Sequence, residues 1–335
     1  MTRATRTSAG FLIAALAALM LLGAGCSSKA ASPAKATTPA AAATEKPVAI
    51  KIGTLATEDS LPLWVAEKMG YFATQGIPKV EIINFQSAQE RDTAFASGAI
   101  DGFMGDIVAA ANLEASGKKV TIATVMLGAD KTQGRFGIVV PPKSTVTNLK
   151  ALAGVPIGTS SATIQEYVLD GLMLEAGVPA ASVKVEEVKK VPVRFELLMA
   201  GKLRAAALPE PFLTLAEQGG AKVIGEDTKA QKNLSQTVLV LSEEYLAKTG
   251  GKATETALLK AWDLGVNDIN KAPETYRDML VDKARLPKPL ASVYKVQTYP
   301  TAQAPSQADV EPLLAWMSSK GYLKGNVGYA DLVAK

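Results

Sequence analysis

From residue 48 onward, short apolar runs alternate with longer stretches in which apolar positions recur every three or four residues. Lys51-Ile52-Gly53-Thr54 ends an apolar strand, and Pro62 to Lys68 reads as a helix with Pro near its start and Gly70 just past its end. Val80 to Phe85 follows as a strand, Ala88 to Ser97 as a helix closed by Gly98, and Ile100 to Gly105 as a strand again. This alternation predicts an α/β fold with a mostly parallel sheet covered by helices.

The pattern recurs further along. Val155-Pro156-Ile157-Gly158-Thr159 echoes the first strand, and Thr163 to Ala176 is the helix that follows it. Arg91 through Gly98-Ala99-Ile100 matches Arg194 through Gly201-Lys202-Leu203, with an offset of 105 from Gly53 to Gly158 and of 103 from Gly98 to Gly201. So long a period does not suit a stacked solenoid and predicts two similar lobes. After Val238-Leu239-Val240-Leu241 only helical patterns remain: Glu255 to Asn270, Pro273 to Val281 and Asp309 to Lys320. The chain is therefore expected to cross between lobes near Gly137–Val140 and Thr237–Leu241. That gives a first lobe of 48–137 plus 242–335 and a second of 138–241.

The N-terminus has a different character. Arg3 and Arg6 precede an apolar run from Phe11 to Leu22, which is an export-signal pattern and too short for the roughly 20 residues of a membrane-spanning helix. The run ends in Leu22-Gly23-Ala24-Gly25-Cys26, which resembles the lipobox of bacterial lipoproteins, with Gly23 where Leu is usual. Cys26 is the only Cys among 335 residues, so no internal disulfide can form. The resemblance implies a signal peptide over 1–25 and a lipid on Cys26 that holds the protein to the extracytoplasmic face of a cell membrane. Residues 26–47, dominated by Ala, Pro, Thr, Ser and Lys, read as a flexible tether.

Composition narrows the chemistry. Of 36 Lys and Arg, two lie in the signal, leaving 34 against 32 acids, and no basic stripe suggests nucleic acid. The chain has no His, which excludes a Ser-His-Asp triad and His metal ligands. Neither a phosphate-loop nor a dinucleotide fingerprint is present, so no cofactor, no metal and no enzyme activity are expected.

Four motifs carry a family resemblance: Leu61-Pro62-Leu63-Trp64-Val65-Ala66-Glu67-Lys68-Met69-Gly70-Tyr71-Phe72, Phe95 to Gly102, Leu149 to Gly158, and Pro209-Glu210-Pro211-Phe212. In that order the chain resembles the periplasmic-binding-protein-like type II receptors of ABC importers, in the branch for nitrate, sulfonates, taurine and thiamine precursors. Arg204 stands where the family usually repeats an Asp. The resemblance implies a two-lobed fold with a ligand cleft between the lobes, a small-molecule ligand, and a membrane permease with its ATPase as partner, the receptor acting as a monomer. Two alternatives stay open: an enzyme like the family's kin in thiamine-pyrimidine synthesis, though those use His and Cys, and a purely structural lipoprotein.

Ligands of open parallel sheets bind beyond the carboxyl ends of the strands. The exposed loops there carry Thr57, Glu58, Asp59, Gln86 and Asp106 in the first lobe, and Ser160, Ser161, Thr163 and Glu210 in the second. Ser160 to Thr163 either presents a helix start to an acceptor group of the ligand, as the resemblance implies, or simply caps its own helix. Trp64 is either a stacking surface or core. The acids find no cation beside them in these loops, which favours a ligand with donor groups over a bare anion. Lys131 and Arg135 lie on a loop that the sequence does not place.

Overall fold

A computed structural model of the chain describes residues 45–284, 290, 292 and 294–333. The expected signal peptide, Cys26 and the tether as far as residue 44 lie outside the described residues. Glu45, within the expected tether, accepts a hydrogen bond from the Gly250 N–H at 2.7 Å and so already belongs to the folded body.

The described strands are β1 (Ile50–Leu55), β2 (Val80–Phe85), β3 (Gly102–Asp106), β4 (Val120–Leu127), β5 (Phe136–Val140), β6 (Pro156–Thr159), β7 (Lys184–Glu187), β8 (Ala206–Pro209), β9 (Lys222–Glu226) and β10 (Thr237–Ser242). They make two five-stranded sheets, ordered β2-β1-β3-β10-β4 and β7-β6-β8-β5-β9. In each sheet one strand runs against the rest: β10 is antiparallel to β3 and β4, and β5 to β8 and β9. The molecule is a two-lobed α/β fold with a mostly parallel sheet in each lobe.

Gly137–Val140 and Thr237–Leu241 are strands inside the sheets rather than crossings. Val238, Leu239, Val240 and Leu241 are buried on both faces, at roughly 1.5–3 kcal/mol for each side chain. Such a run is favoured in the middle of a sheet. The chain instead passes between the sheets through 128–135 and 230–236, where polar and small residues concentrate.

The repeat is visible in atomic detail. Arg91 donates from Nη1 to the Met104 carbonyl at 2.8 Å, and Arg194 donates from Nη1 to the Ala207 carbonyl at 2.7 Å, thirteen positions on in both cases. Both guanidinium groups are buried. A Cβ at Gly53 would meet Ile100 and the Arg91 stem, and one at Gly158 would meet Leu203 and the Arg194 stem. Each lobe thus rests a buried arginine against a strand that has no side chain at the point of contact.

The helices behind the first sheet fix the loop that follows β1. The helix Gly251–Lys271 buries Thr254, Ala257, Leu258, Ala261, Trp262, Gly265, Val266 and Ile269, a stripe at three- and four-residue spacing. It lies against the helix Leu61–Lys68, whose residues Leu61 to Ala66 are all buried. Among the described residues no helix is long and apolar enough to cross a membrane.

The two crossings touch each other. Asn233 donates from Nδ2 to the Gly128 carbonyl at 2.7 Å, and Gly128 has a φ of 83°. A Cβ there would sit 2.4 Å from the Ser235 carbonyl oxygen. Gly128→Ala is therefore expected to destabilise the fold by about 1–3 kcal/mol, through left-handed backbone strain and a clash with main chain that cannot rotate away. A urea denaturation midpoint equal to wild type would refute that packing.

Candidate functional site

A cavity of about 40 Å³ lies where the strand ends of the two sheets meet. The first lobe contributes the loop after β1 with Thr57, Glu58 and Asp59, the end of β3 with Asp106, and Arg91 from the helix Ala88–Ala96. The second contributes Thr163 and Gln165 at the start of the helix Ile164–Glu175, Glu210 beyond β8, and Arg135 ahead of β5. A space of that size holds only a few water-sized groups, so its walls define the chemistry of whatever enters.

Each acid is held by named partners. Asp59 accepts from the Thr57 hydroxyl at 2.6 Å. Glu58 receives the Tyr294 hydroxyl on its carboxylate, and the Tyr299 hydroxyl on its main-chain carbonyl at 2.7 Å. Glu210 accepts from the main chain and hydroxyl of Thr214 at 3.1 and 2.9 Å, and from Arg135 at 3.1 Å. Asp106 caps its own helix, Ile107–Ala115, by accepting from the Ala109 N–H at 2.8 Å. Its other oxygen accepts from the Ile164 N–H of the opposite lobe at 3.2 Å.

Burial raises all four carboxyl groups above their ordinary range. For Glu58 the rise is large, with the charge of Glu210 adding to it and the Tyr294 hydrogen bond opposing it. Asp59 rises despite its bond from Thr57, Asp106 despite the Arg91 charge, and Glu210 despite Thr214 and Arg135. Burial on its own would depress the Arg135 guanidinium, but its bonds to Glu217 and Glu226, both 2.7 Å, reverse that and hold it charged. Arg91 is bonded through Nε and Nη2 to Asp92 at 2.9 and 2.7 Å. Both cleft arginines are thus already matched by carboxylates of the protein.

Thr57, Glu58, Asp59, Asp106, Thr163 and Glu210 come together at this cavity. Trp64 does not: it sits in the hydrophobic core of the first lobe, because the helix that carries it is buried nearly all round. Gln86 is exposed, and its N–H donates to Glu90 at 3.2 Å. Ser160 and Ser161 line a separate hollow with Gln89, Asp92 and Lys189.

The helix start at Thr163 is a cap for its own chain. Thr163 accepts from the Gln165 N–H at 3.3 Å, while the Ser161 and Ala162 N–H groups go to Glu187 at 3.0 Å and Glu166 at 2.7 Å. Lys131 turns away to the Ala230 carbonyl at 2.8 Å, whereas Arg135 reaches the cavity. Arg91, Arg135 and Gln165 were not assigned to the cleft from sequence. The matching of Arg91 with Arg194 in the repeat is the one signal that marks either arginine as special.

The lobes also clasp outside the cavity. Lys320 pairs with Glu166 at 2.8 Å and Asp170 at 2.9 Å, the Trp316 indole donates to Asp170 at 2.8 Å, and Tyr322 donates to Glu166 at 3.0 Å. Lys189 reaches Gln89 at 2.7 Å, and Lys190 reaches Glu90 at 3.1 Å.

A family model described as the NMT1-like family matches residues 43–279. A comparison with curated proteins finds no match. Among solved structures, the alkanesulfonate-binding protein SsuA from Xanthomonas axonopodis pv. citri bound to MOPS is 16% identical, covering 86% of this chain and 99% of that one, with a TM-score of 0.72. The periplasmic aliphatic sulphonate binding protein SsuA from Escherichia coli is 17% identical over 87% of this chain and 93% of that one, with a TM-score of 0.70. The periplasmic nitrate-binding protein NrtA from Synechocystis PCC 6803 is 14% identical over 84% of both, with a TM-score of 0.64. At these identities the likeness is one of fold.

Behind the cavity, Asp227 accepts from the Phe136 N–H at 2.9 Å, and burial pushes its carboxyl from 3.8 to about 7. The folded state therefore holds this proton more tightly than the unfolded chain does. The resulting stabilisation is complete below a pH of about 4 and is lost as pH rises through about 7. Asp227→Asn keeps the acceptor for Phe136 and removes the titration. Relative to wild type, the variant should gain on the order of 2–4 kcal/mol between mildly acidic and mildly alkaline buffer in urea unfolding. A parallel pH profile for the two proteins would contradict the assignment.

Proposed function

The chain belongs to the NMT1-like family, and on that premise we propose that it is the extracytoplasmic solute-binding component of an ABC importer, which captures a small organic molecule carrying N–H donors and hands it to a membrane permease. The observation that carries the ligand class is the set of four buried carboxyl groups around one small cavity, whose two arginines are already bonded to acids of the protein. An anion there meets either a protonated carboxyl group, which carries no charge to attract it, or an ionised one, which at an effective dielectric of about 20 and ~4 Å costs on the order of 4 kcal/mol. Neither arginine is free to offset that. The same carboxyls form short, charge-assisted hydrogen bonds with amines and nitrogen heterocycles. Two of the similar structures are named as sulfonate-binding and one as nitrate-binding, and on this reading neither anion is the ligand here.

The proposal includes motion. The lobes divide at the crossings 128–135 and 230–236 and close on the ligand by a hinge there. A cavity built from both lobes, with Asp106 of one bonded to Ile164 of the other, supports a site that is complete only when the lobes meet. The protein works as a monomer that binds without turnover and is tethered through a lipid on Cys26. Cys26→Ala should then move it from the membrane fraction to the soluble extracytoplasmic fraction, and unchanged membrane retention would remove the anchor from the proposal.

The ligand class is tested by thermal shift and calorimetry on a panel of nitrate, alkanesulfonates, simple amines and nitrogen heterocycles. Ligand at a hundred times its Kd stabilises by about 2.7 kcal/mol. Amines or heterocycles should shift the melting temperature of wild type, and Glu58→Gln and Glu210→Gln should bind them about tenfold or more weakly. Tight binding of nitrate or a simple sulfonate, undiminished in both variants, would be fatal to the proposal.

A further inference from the structure

Among the described residues that line the cavity, Gln165 presents an amide donor for which no described residue supplies an acceptor. Gln165 is 9% exposed, and its side-chain carbonyl receives a hydrogen bond from Arg194. A guanidinium can donate and cannot accept, so the amide oxygen must be the end that faces Arg194. The amide nitrogen therefore points the other way, and no described residue accepts from it. Arg194 is fixed in turn, because it is 0% exposed and donates to the carbonyls of Val188 at 3.0 Å and Ala207 at 2.7 Å. If the amide flipped, its NH2 group would face the Arg194 guanidinium, donor against donor, at a buried position. In the other lobe the equivalent arginine, Arg91, is bonded to the carboxylate of Asp92 and holds no amide.

We propose that Gln165, held in one orientation by Arg194, determines specificity by donating its Nε2 protons to a neutral acceptor on a ligand whose N–H donors meet the carboxyl groups opposite. This rests on the proposed solute-binding role and deepens it. The ligand then carries both polarities: an amine or ring N–H, and close to it a carbonyl or ring nitrogen. The acceptor is neutral because the same cavity holds Glu58, Asp59, Asp106 and Glu210, and a full negative charge there meets the repulsion already described. A ligand without the acceptor would leave the amide nitrogen dry and unbonded, a penalty that lowers affinity by roughly tenfold or more. Arg194 is a positioning residue, acting only through Gln165.

Two matched probes read this directly. 2-Aminopyridine offers an N–H donor beside a ring-nitrogen acceptor, and aniline keeps the donor and lacks the acceptor. In mildly alkaline buffer, where both are neutral, calorimetry on the full chain should show wild type preferring 2-aminopyridine by roughly tenfold. The side-chain amide resonances of Gln165 should move with 2-aminopyridine and stay in place with aniline. Gln165→Glu keeps an oxygen for Arg194 and turns an acceptor toward the cavity, so the preference should vanish or invert. Gln165→Leu should erase it as well. Arg194→Lys should shrink the ratio.

A wild type that binds simple amines but does not distinguish the two probes, or a preference that persists in Gln165→Glu, overturns this inference and leaves the receptor proposal standing. A wild type that binds nothing in the amine and heterocycle panel overturns both.

Discussion

A carboxylate taken out of water costs several kcal/mol unless hydrogen bonds or a counter-charge replace its hydration, and this chain gathers four around one cavity of about 40 Å³. Their compensation comes from every part of the fold. Thr57 serves Asp59 from two residues away, Tyr294 reaches Glu58 from the far end of the sequence, and Arg135 and Thr214 serve Glu210. Asp106 is served by an N–H from each lobe. Asp106 is thus the one of the four that draws a donor from the opposite lobe, and the raised carboxyl groups record what desolvation still demands.

That dependence gives the outer clasp its meaning. The pair of Lys190 with Glu90 is open to water, and such a pair contributes only about 0–1 kcal/mol, while Lys320 is half-buried between a buried Glu166 and Asp170. The Asp106 to Ile164 bond is buried but neutralises no formal charge. Contacts of this strength hold two lobes in register without locking them. On the proposed function, the remaining driving force for closure comes from the ligand, which supplies the donors that the four carboxyl groups lack. The crossings at Gly128 and Asn233 are packed tightly enough to define an axis, and the lobes they join are tied only weakly elsewhere.

The layers and most of the elements were legible from periodicity, because strands such as Val80–Phe85 and helices such as Leu61–Lys68 carry their own boundaries in Gly and Pro. The crossings were misplaced because an apolar run such as Val238–Leu241 looks the same in one dimension whether it ends a lobe or returns to the middle of a sheet; only the pairing of β10 between β3 and β4 decides. The lining of the cavity is legible where a residue lies at or just beyond the end of a strand, as at Glu58, Asp106 and Glu210. It was not legible where a side chain reaches the cavity from a helix face, as Arg91 does, or from a crossing, as Arg135 does. Trp64 shows the converse: its position beside the loop suggested the cleft, and the burial of its whole helix took it to the core.

The repeat explains why the two halves of the cleft differ in kind. Both lobes bury an arginine under a strand and bond it to a carbonyl thirteen residues on. In the first lobe the next residue is Asp92, which takes up the charge, so Arg91 braces the cleft without needing anything from it. In the second lobe the next residue is Phe195, and burial presses the guanidinium of Arg194 down to about 9 against the weak support of Glu187, which still leaves it charged at neutral pH. With no carboxylate in direct contact, that arginine is bonded through Nε and Nη1 to neutral carbonyl groups, the side chain of Gln165 among them, while its Nη2 has no partner among the described residues. On the inference drawn from Gln165, one change beside a repeated arginine converts a structural brace into a device that fixes which end of an amide faces the cavity.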